Sequence, residues 1–166
     1  MTAFAVIAAV LAAAMMQPLP PLKGKYLTGR DATLPADCKG KIALLAFGFS
    51  YDSRHQVEAW IGRFRKDFGK DSRVTFYEIP VIGGAAQLGK WFIDSGMRRG
   101  TPKELHENVI TIYGGAGPWK RYLDYKAADD AYLVLLDPSG AVRWAHAGTL
   151  TDAAYSELAA AVAKSN

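Results

Sequence analysis

The chain has 166 residues, half of them apolar or aromatic, which is enough to bury one core and excludes disorder and fibrous repeats. Its net charge of +4 is dispersed, with 20 Lys and Arg interleaved among 16 Asp and Glu; no block of like charge and no alternation of aromatic and basic residues marks a nucleic-acid partner. One cysteine, Cys38, leaves no internal disulfide and excludes dithiol exchange, which needs both an attacking and a resolving thiol.

The segment MTAFAVIAAVLAAAMM is unbroken apolar sequence without a charge, and the Pro-rich QPLPPLKG follows it. Such a run is shorter than the ~20 residues of a spanning helix, and Ala12 and Ala14 form a small-x-small cleavage pattern before Met15. These features predict a signal peptide or N-terminal anchor over residues 1–16, a linker over 17–25 and one domain over 26–166. The domain is expected outside the cytoplasm, in the periplasm or an equivalent space, and close to a membrane if the N-terminus anchors it. Cys38, in LPADCKGKIALL, precedes a strand and has no neighbour that would lower its pKa. It reads as a packing or surface residue, with a reactive thiol as the alternative.

The run from Ile42 to Phe49 is continuously apolar, as in a strand buried on both faces. Val57, Trp60, Ile61, Phe64 and Phe68 then recur at helical spacing, with Asp52 or Ser53 placed to cap the helix start. Arg63, Arg65, Lys66 and Lys70 fall on its solvated face. RVTFYEIPVI is the next strand, which makes a βαβ unit with parallel strands. AAQLGKWFIDSGMRRG predicts a helix with Leu88, Trp91, Phe92 and Ser95 facing inward. TPKELH predicts another, with Thr101 as cap, Pro102 in the first turn and Glu104 completing a capping box. NVITIYGG is a third strand, and GPWKRYLDYK a short helix starting near Pro118. GGAG has no following Lys-Ser or Lys-Thr, so a phosphate loop is not expected, nor is any cofactor. AYLVLLDPSGAVRWAHAG is a hairpin turning at Asp137, Pro138, Ser139 and Gly140. Thr149 or Thr151 then caps a last helix in which Tyr155, Leu158, Ala159 and Val162 share a face. The sum is an α/β fold, a mixed sheet flanked by helices with a C-terminal β-hairpin and a closing helix.

This order of elements resembles the thioredoxin-like fold, and two stretches narrow the resemblance. LLAFGF leads into a helix that holds Trp60, and YLVLLDPSGAVRWAHAG carries Tyr132, Leu133, Asp137, Gly140, Arg143, Trp144 and Gly148. Together they resemble the thioredoxin-like family of mitochondrial ATP synthase assembly factors and its bacterial relatives, over residues 25–160. Mitochondrial members carry Arg-rich targeting segments, whereas no Arg precedes Arg30 here and the N-terminus resembles a bacterial export signal. The resemblance implies a non-catalytic protein that binds a protein partner in assembly or folding support. The alternative is a divergent single-cysteine thiol peroxidase or oxidoreductase that uses Cys38.

Laid on a thioredoxin active-site turn, LLAFGFSYDSRHQVEAW puts Asp52 and His55 where two cysteines would stand. Asp52 offers the helix N-terminus a fixed negative charge in place of a thiolate. Thioredoxin enzymes carry a cis-proline before the strand corresponding to AYLVLLD; here Ala127, Ala128, Asp129 and Asp130 fill that stretch. Tyr51, Asp52, Arg54 and His55 are the candidate partner-binding turn, since Tyr and Arg most often anchor interfaces. Arg143 is the other candidate: it and Trp144 point to opposite faces of one strand, so Trp144 packs under a helix. Arg143 then either pairs with a helix carboxylate such as Glu157 or meets a partner. His55, His106 and His146 lack the spacing of a zinc site, so no metal is expected. Ser50 has no strained nucleophile elbow around it.

Overall fold

A computed structural model describes residues 18–83 and 89–165. The expected signal or anchor over 1–16 and the inward-facing Leu88 lie outside the described residues. In chain order the elements are β1 (Leu22–Tyr26), β2 (Asp31–Leu34), a 3-10 turn at Ala36–Cys38, β3 (Ile42–Gly48), α1 (Ser53–Phe68) and β4 (Val74–Ile82). There follow α2 (Lys90–Gly100), a second 3-10 turn at Lys103–Leu105, β5 (Ile110–Tyr113), α3 (Gly117–Tyr122), β6 (Ala131–Leu136), β7 (Val142–Ala147) and α4 (Asp152–Lys164). The seven strands form one mixed sheet in the order β2-β1-β5-β4-β3-β6-β7.

The βαβ unit forms as the sequence predicts, with β3 parallel to β4 and α1 between them in the chain. Alternation explains why β3 is apolar throughout: successive side chains leave a strand on opposite faces. Ile42, Leu44 and Ala46 enter a core with Trp60, Phe64, Trp144, Tyr155 and Leu158, from α1, β7 and α4. Ala43, Leu45 and Phe47 enter a second core on the other face, with Leu22, Leu34, Cys38, Ile110 and Trp119. The sheet is therefore covered on both sides, by two long helices on one and by α3 and the first 3-10 turn on the other.

The C-terminal hairpin closes where expected. Gly140 donates its amide to the Asp137 carbonyl (2.9 Å) and Asp137 donates to Ala141 (2.9 Å). Gly140 has φ +89°, a left-handed conformation that glycine takes without a Cβ clash. Thr151 caps α4, its hydroxyl oxygen accepting from the Ala154 amide (3.2 Å).

Three expectations are corrected. Residues 22–25, read as linker, belong to β1, which pairs with β2 and β5. TPKELH does not open a capped helix: Pro102 has ψ 139°, which breaks helical geometry, and only the 3-10 turn follows, without a side-chain cap. Finally, Trp91 and Phe92 face outward, 70% and 74% exposed. The inner side of α2 is instead tied to β5 by Asp94, which accepts from the Tyr113 hydroxyl (2.6 Å), and by Lys90 over the Tyr113 ring (4.6 Å).

Candidate functional site

At the carboxyl end of β3 the chain turns through Phe49 to Asp52 into α1, and two serines fix that turn. The Ser53 amide donates to Ser50 Oγ (3.0 Å), the Ser50 amide donates to Ser53 Oγ (3.3 Å), and the Ser53 hydroxyl donates to the Ser50 carbonyl (2.8 Å). This is a capping box in which both members are serine. Asp52 is already helical (φ −78°, ψ −26°) and its side chain makes no capping bond. The cap expected at Asp52 or Ser53 is thus Ser50, with Ser53 as its reciprocal partner. Gly48 makes room for it, because a Cβ there would lie 2.7 Å from Ser53 Oγ. Ser50→Ala is accordingly expected to cost ~1–2 kcal/mol, and Asp52→Ala no more than a few tenths. Urea melts of the two variants distinguish the assignments, since an equal or larger loss at Asp52 would return the cap to it.

The turn is also tied to the loop that precedes β6. Ser50 donates its hydroxyl to Asp129 (2.6 Å), and Gln56 Oε1 accepts from the Ala131 amide (3.1 Å). Tyr132 holds the same loop from below, its hydroxyl oxygen accepting from the amides of Lys126 (2.9 Å) and Ala127 (3.0 Å) and its proton going to the Ala127 carbonyl (3.0 Å). Gln56, Asp129 and Tyr132 were not among the site residues expected from sequence. Their only trace there is a polar pair, Asp129-Asp130, directly before an apolar strand. Among the described residues the one cis peptide bond joins Leu34 to Pro35, away from this loop.

On this braced turn Tyr51, Asp52, Arg54 and His55 are all exposed. Tyr51 is 75% exposed, and the Arg54 guanidinium lies 3.8 Å from the centre of its ring. At an exposed site such a stack of a cation over an aromatic face contributes ~0.5–1 kcal/mol.

The other candidates lie elsewhere. Gly48 pairs with Ala131 and Ala43 with Leu136, so the β6–β7 turn is at the opposite end of the sheet, roughly 20 Å of strand away at ~3.3 Å per residue. Arg143 is at that far end and does not join the Tyr51 turn. Its Nε donates to Asp137 (2.7 Å), so its carboxylate partner is in its own hairpin rather than at Glu157. Asp137 is buried and also accepts from the Ser139 hydroxyl (2.6 Å) and the amides of Ser139 (2.9 Å) and Ala141 (3.0 Å). Burial alone would push the Asp137 carboxyl up; these donors outweigh it and hold the group below the usual carboxylate range.

Cys38 is also near the far end, where the Gly40 amide donates to the Pro138 carbonyl (2.8 Å). It is fully buried, and burial, then the charge of Asp37, pushes its thiol up to about 12. Because the thiolate is the nucleophile, this setting opposes thiol chemistry. Of the histidines, His55 is on the exposed turn, His106 Nε2 lies 3.0 Å from the Thr101 carbonyl, and His146 stacks on Trp144 with ring centres 5.7 Å apart. Among the described residues no group of three or more His, Cys, Asp or Glu is arranged to hold a metal ion.

No protein-family model matches the chain, and no curated protein matches it. Solved structures do. The thioredoxin domain of a thiol-disulfide oxidoreductase from Bacteroides vulgatus superposes with a TM-score of 0.61 at 17% identity, covering 88% of this chain and 96% of that one. A thiol-disulfide oxidoreductase from Bacteroides fragilis gives 0.59 at 13%, over 87% and 98%. The exposed lipoprotein thioredoxin of Streptococcus pneumoniae gives 0.57 at 16%, over 84% and 97%. At these identities the likeness is one of fold, and the chain has the thioredoxin-like fold.

Proposed function

We propose that this protein acts outside the cytoplasm by binding a protein partner through the turn at the start of α1, in an assembly or folding-support role. The carrying observation is the Tyr51–Arg54 stack, exposed on a turn that Ser50, Ser53 and Asp129 brace. An aromatic and an arginine that already favour one stacked arrangement lose less conformational freedom on binding, which suits an interface anchor. Enzymes of this fold carry their thiols on the same turn, and here the chain has none there. The assembly-factor reading is supported by the hairpin motif YLVLLDPSGAVRWAHAG, and the location by the exposed lipoprotein among the structural neighbours.

The test is a double variant, Tyr51→Ala with Arg54→Ala, in the full chain. Crosslinking and copurification from the native envelope should recover partner with the unaltered protein and lose it with the variant. Melting curves should coincide within ~0.5 kcal/mol, because both side chains are exposed. Undiminished capture by the variant would overturn the proposal.

A further inference from the structure

Helix α2 is a surface element whose outer face nothing in the described structure covers. None of its residues is fully buried, Trp91 and Phe92 are its two large exposed apolar groups, and their rings meet edge-on with centres 5.0 Å apart. At 3.6 residues per turn, Arg98 falls about 20° from Trp91 around the axis, and Arg99 about 20° from Phe92, each ~10 Å further along. Both arginines are exposed. The outer face therefore reads as an aromatic pair followed by a cationic pair. The helix's one acid, Asp94, is turned inward to the Tyr113 hydroxyl. Arg98 gives its Nε to the Leu27 carbonyl (2.8 Å) and is still an exposed residue.

We propose that this face of α2 docks on an anionic lipid bilayer. Aromatic rings settle at the boundary between headgroups and acyl chains, while arginines beside them bind lipid phosphates, and one convex helix can supply both without a groove. The charge that this face shows, Arg98 and Arg99, is complementary to an anionic surface, and the helix's one acid is turned away from it. The proposal uses none of the residues of the Tyr51 turn and is tested independently of it.

Trp91 is also the reporter, because Trp60, Trp119 and Trp144 are buried. The full chain is mixed with vesicles of phosphatidylcholine alone, or of phosphatidylcholine with an equal part of phosphatidylglycerol. Emission and acrylamide quenching are then read. With the anionic vesicles the emission should move to the blue and Trp91 should lose access to quencher; with the neutral ones both changes should be far smaller. Arg98→Gln with Arg99→Gln should weaken partitioning roughly thirty-fold, from ~1 kcal/mol per arginine near an anionic surface, and Phe92→Ala should weaken it further. Circular dichroism confirms that the variants fold. A chain that sediments with vesicles while Trp91 stays open to quencher would place the contact at the apolar N-terminus and overturn the proposal. So would blue shifts that are equal on both vesicles and indifferent to the arginines. A Trp91→Ala variant that loses a protein partner, with no shift on any vesicle, would make this a protein-docking face instead.

Discussion

Trp60→Ala is expected to lower stability by ~4 kcal/mol. The indole is completely buried, with Trp144 and His146 at ring-centre distances of 5.8 and 5.2 Å, and its Nε1 donates to the Gly148 carbonyl (3.0 Å). Truncation removes that burial, leaves a cavity walled by rigid rings, and strips the carbonyl of its donor. Trp60→Phe keeps most of the volume and should lose only ~1–2 kcal/mol, largely the hydrogen bond. Urea unfolding checks both: the midpoint should fall with an unchanged slope. A loss below ~1 kcal/mol for the alanine variant would mean that α1 does not pack on β7 through this residue.

Asp137→Ala is expected to cost ~3 kcal/mol, because one buried carboxylate serves four donors across the β6–β7 turn, two of them amides that β-pairing leaves free. Its dependence on pH has a definite sign. A carboxyl held below its unfolded value contributes fully above the ordinary carboxylate range and loses that contribution as pH falls through the folded value. The unaltered protein should therefore lose stability below about pH 4, and the gap between it and Asp137→Asn should narrow over the same interval. Arg143→Ala, which removes a half-exposed arm of the same network, should cost no more than ~1 kcal/mol. A gap that widens on acidification would show that the carboxyl is not held ionised by these donors.

The elements legible in the sequence are those whose pattern admits one arrangement. β3 is buried on both faces, so every residue is apolar and no register ambiguity arises; the β6–β7 turn carries Asp, Pro and Gly at positions that only a turn explains. α2 is different. It has Trp91 and Phe92 on one side and Ile93 and Met97 on the other, and an eleven-residue helix with apolar groups on both sides has no unique inner face until its neighbours are known. Tyr113 decides it, by engaging Lys90 and Asp94. β1 escaped notice for a related reason: Leu22, Gly24 and Tyr26 do alternate with lysines, but the prolines just before them read as linker. At the site, the exposed turn was legible from the fold resemblance, whereas its bracing was not. Ser50 to Asp129 and Gln56 to Ala131 join segments far apart in the chain, and nothing local announces such pairs.

The sheet order carries a consequence for how the molecule is made. β5 is only four residues long, yet it is the strand that joins the N-terminal hairpin to β4. Tyr26 finds its partner Ile110 only after the whole βαβ unit and α2 have been synthesised. Until then β1 and β4 each present a bare hydrogen-bonding edge, the kind that recruits strands from other molecules. The nascent chain therefore passes through a stage at which two sticky seams are open at once, and a single tetrapeptide, Ile-Thr-Ile-Tyr, seals both.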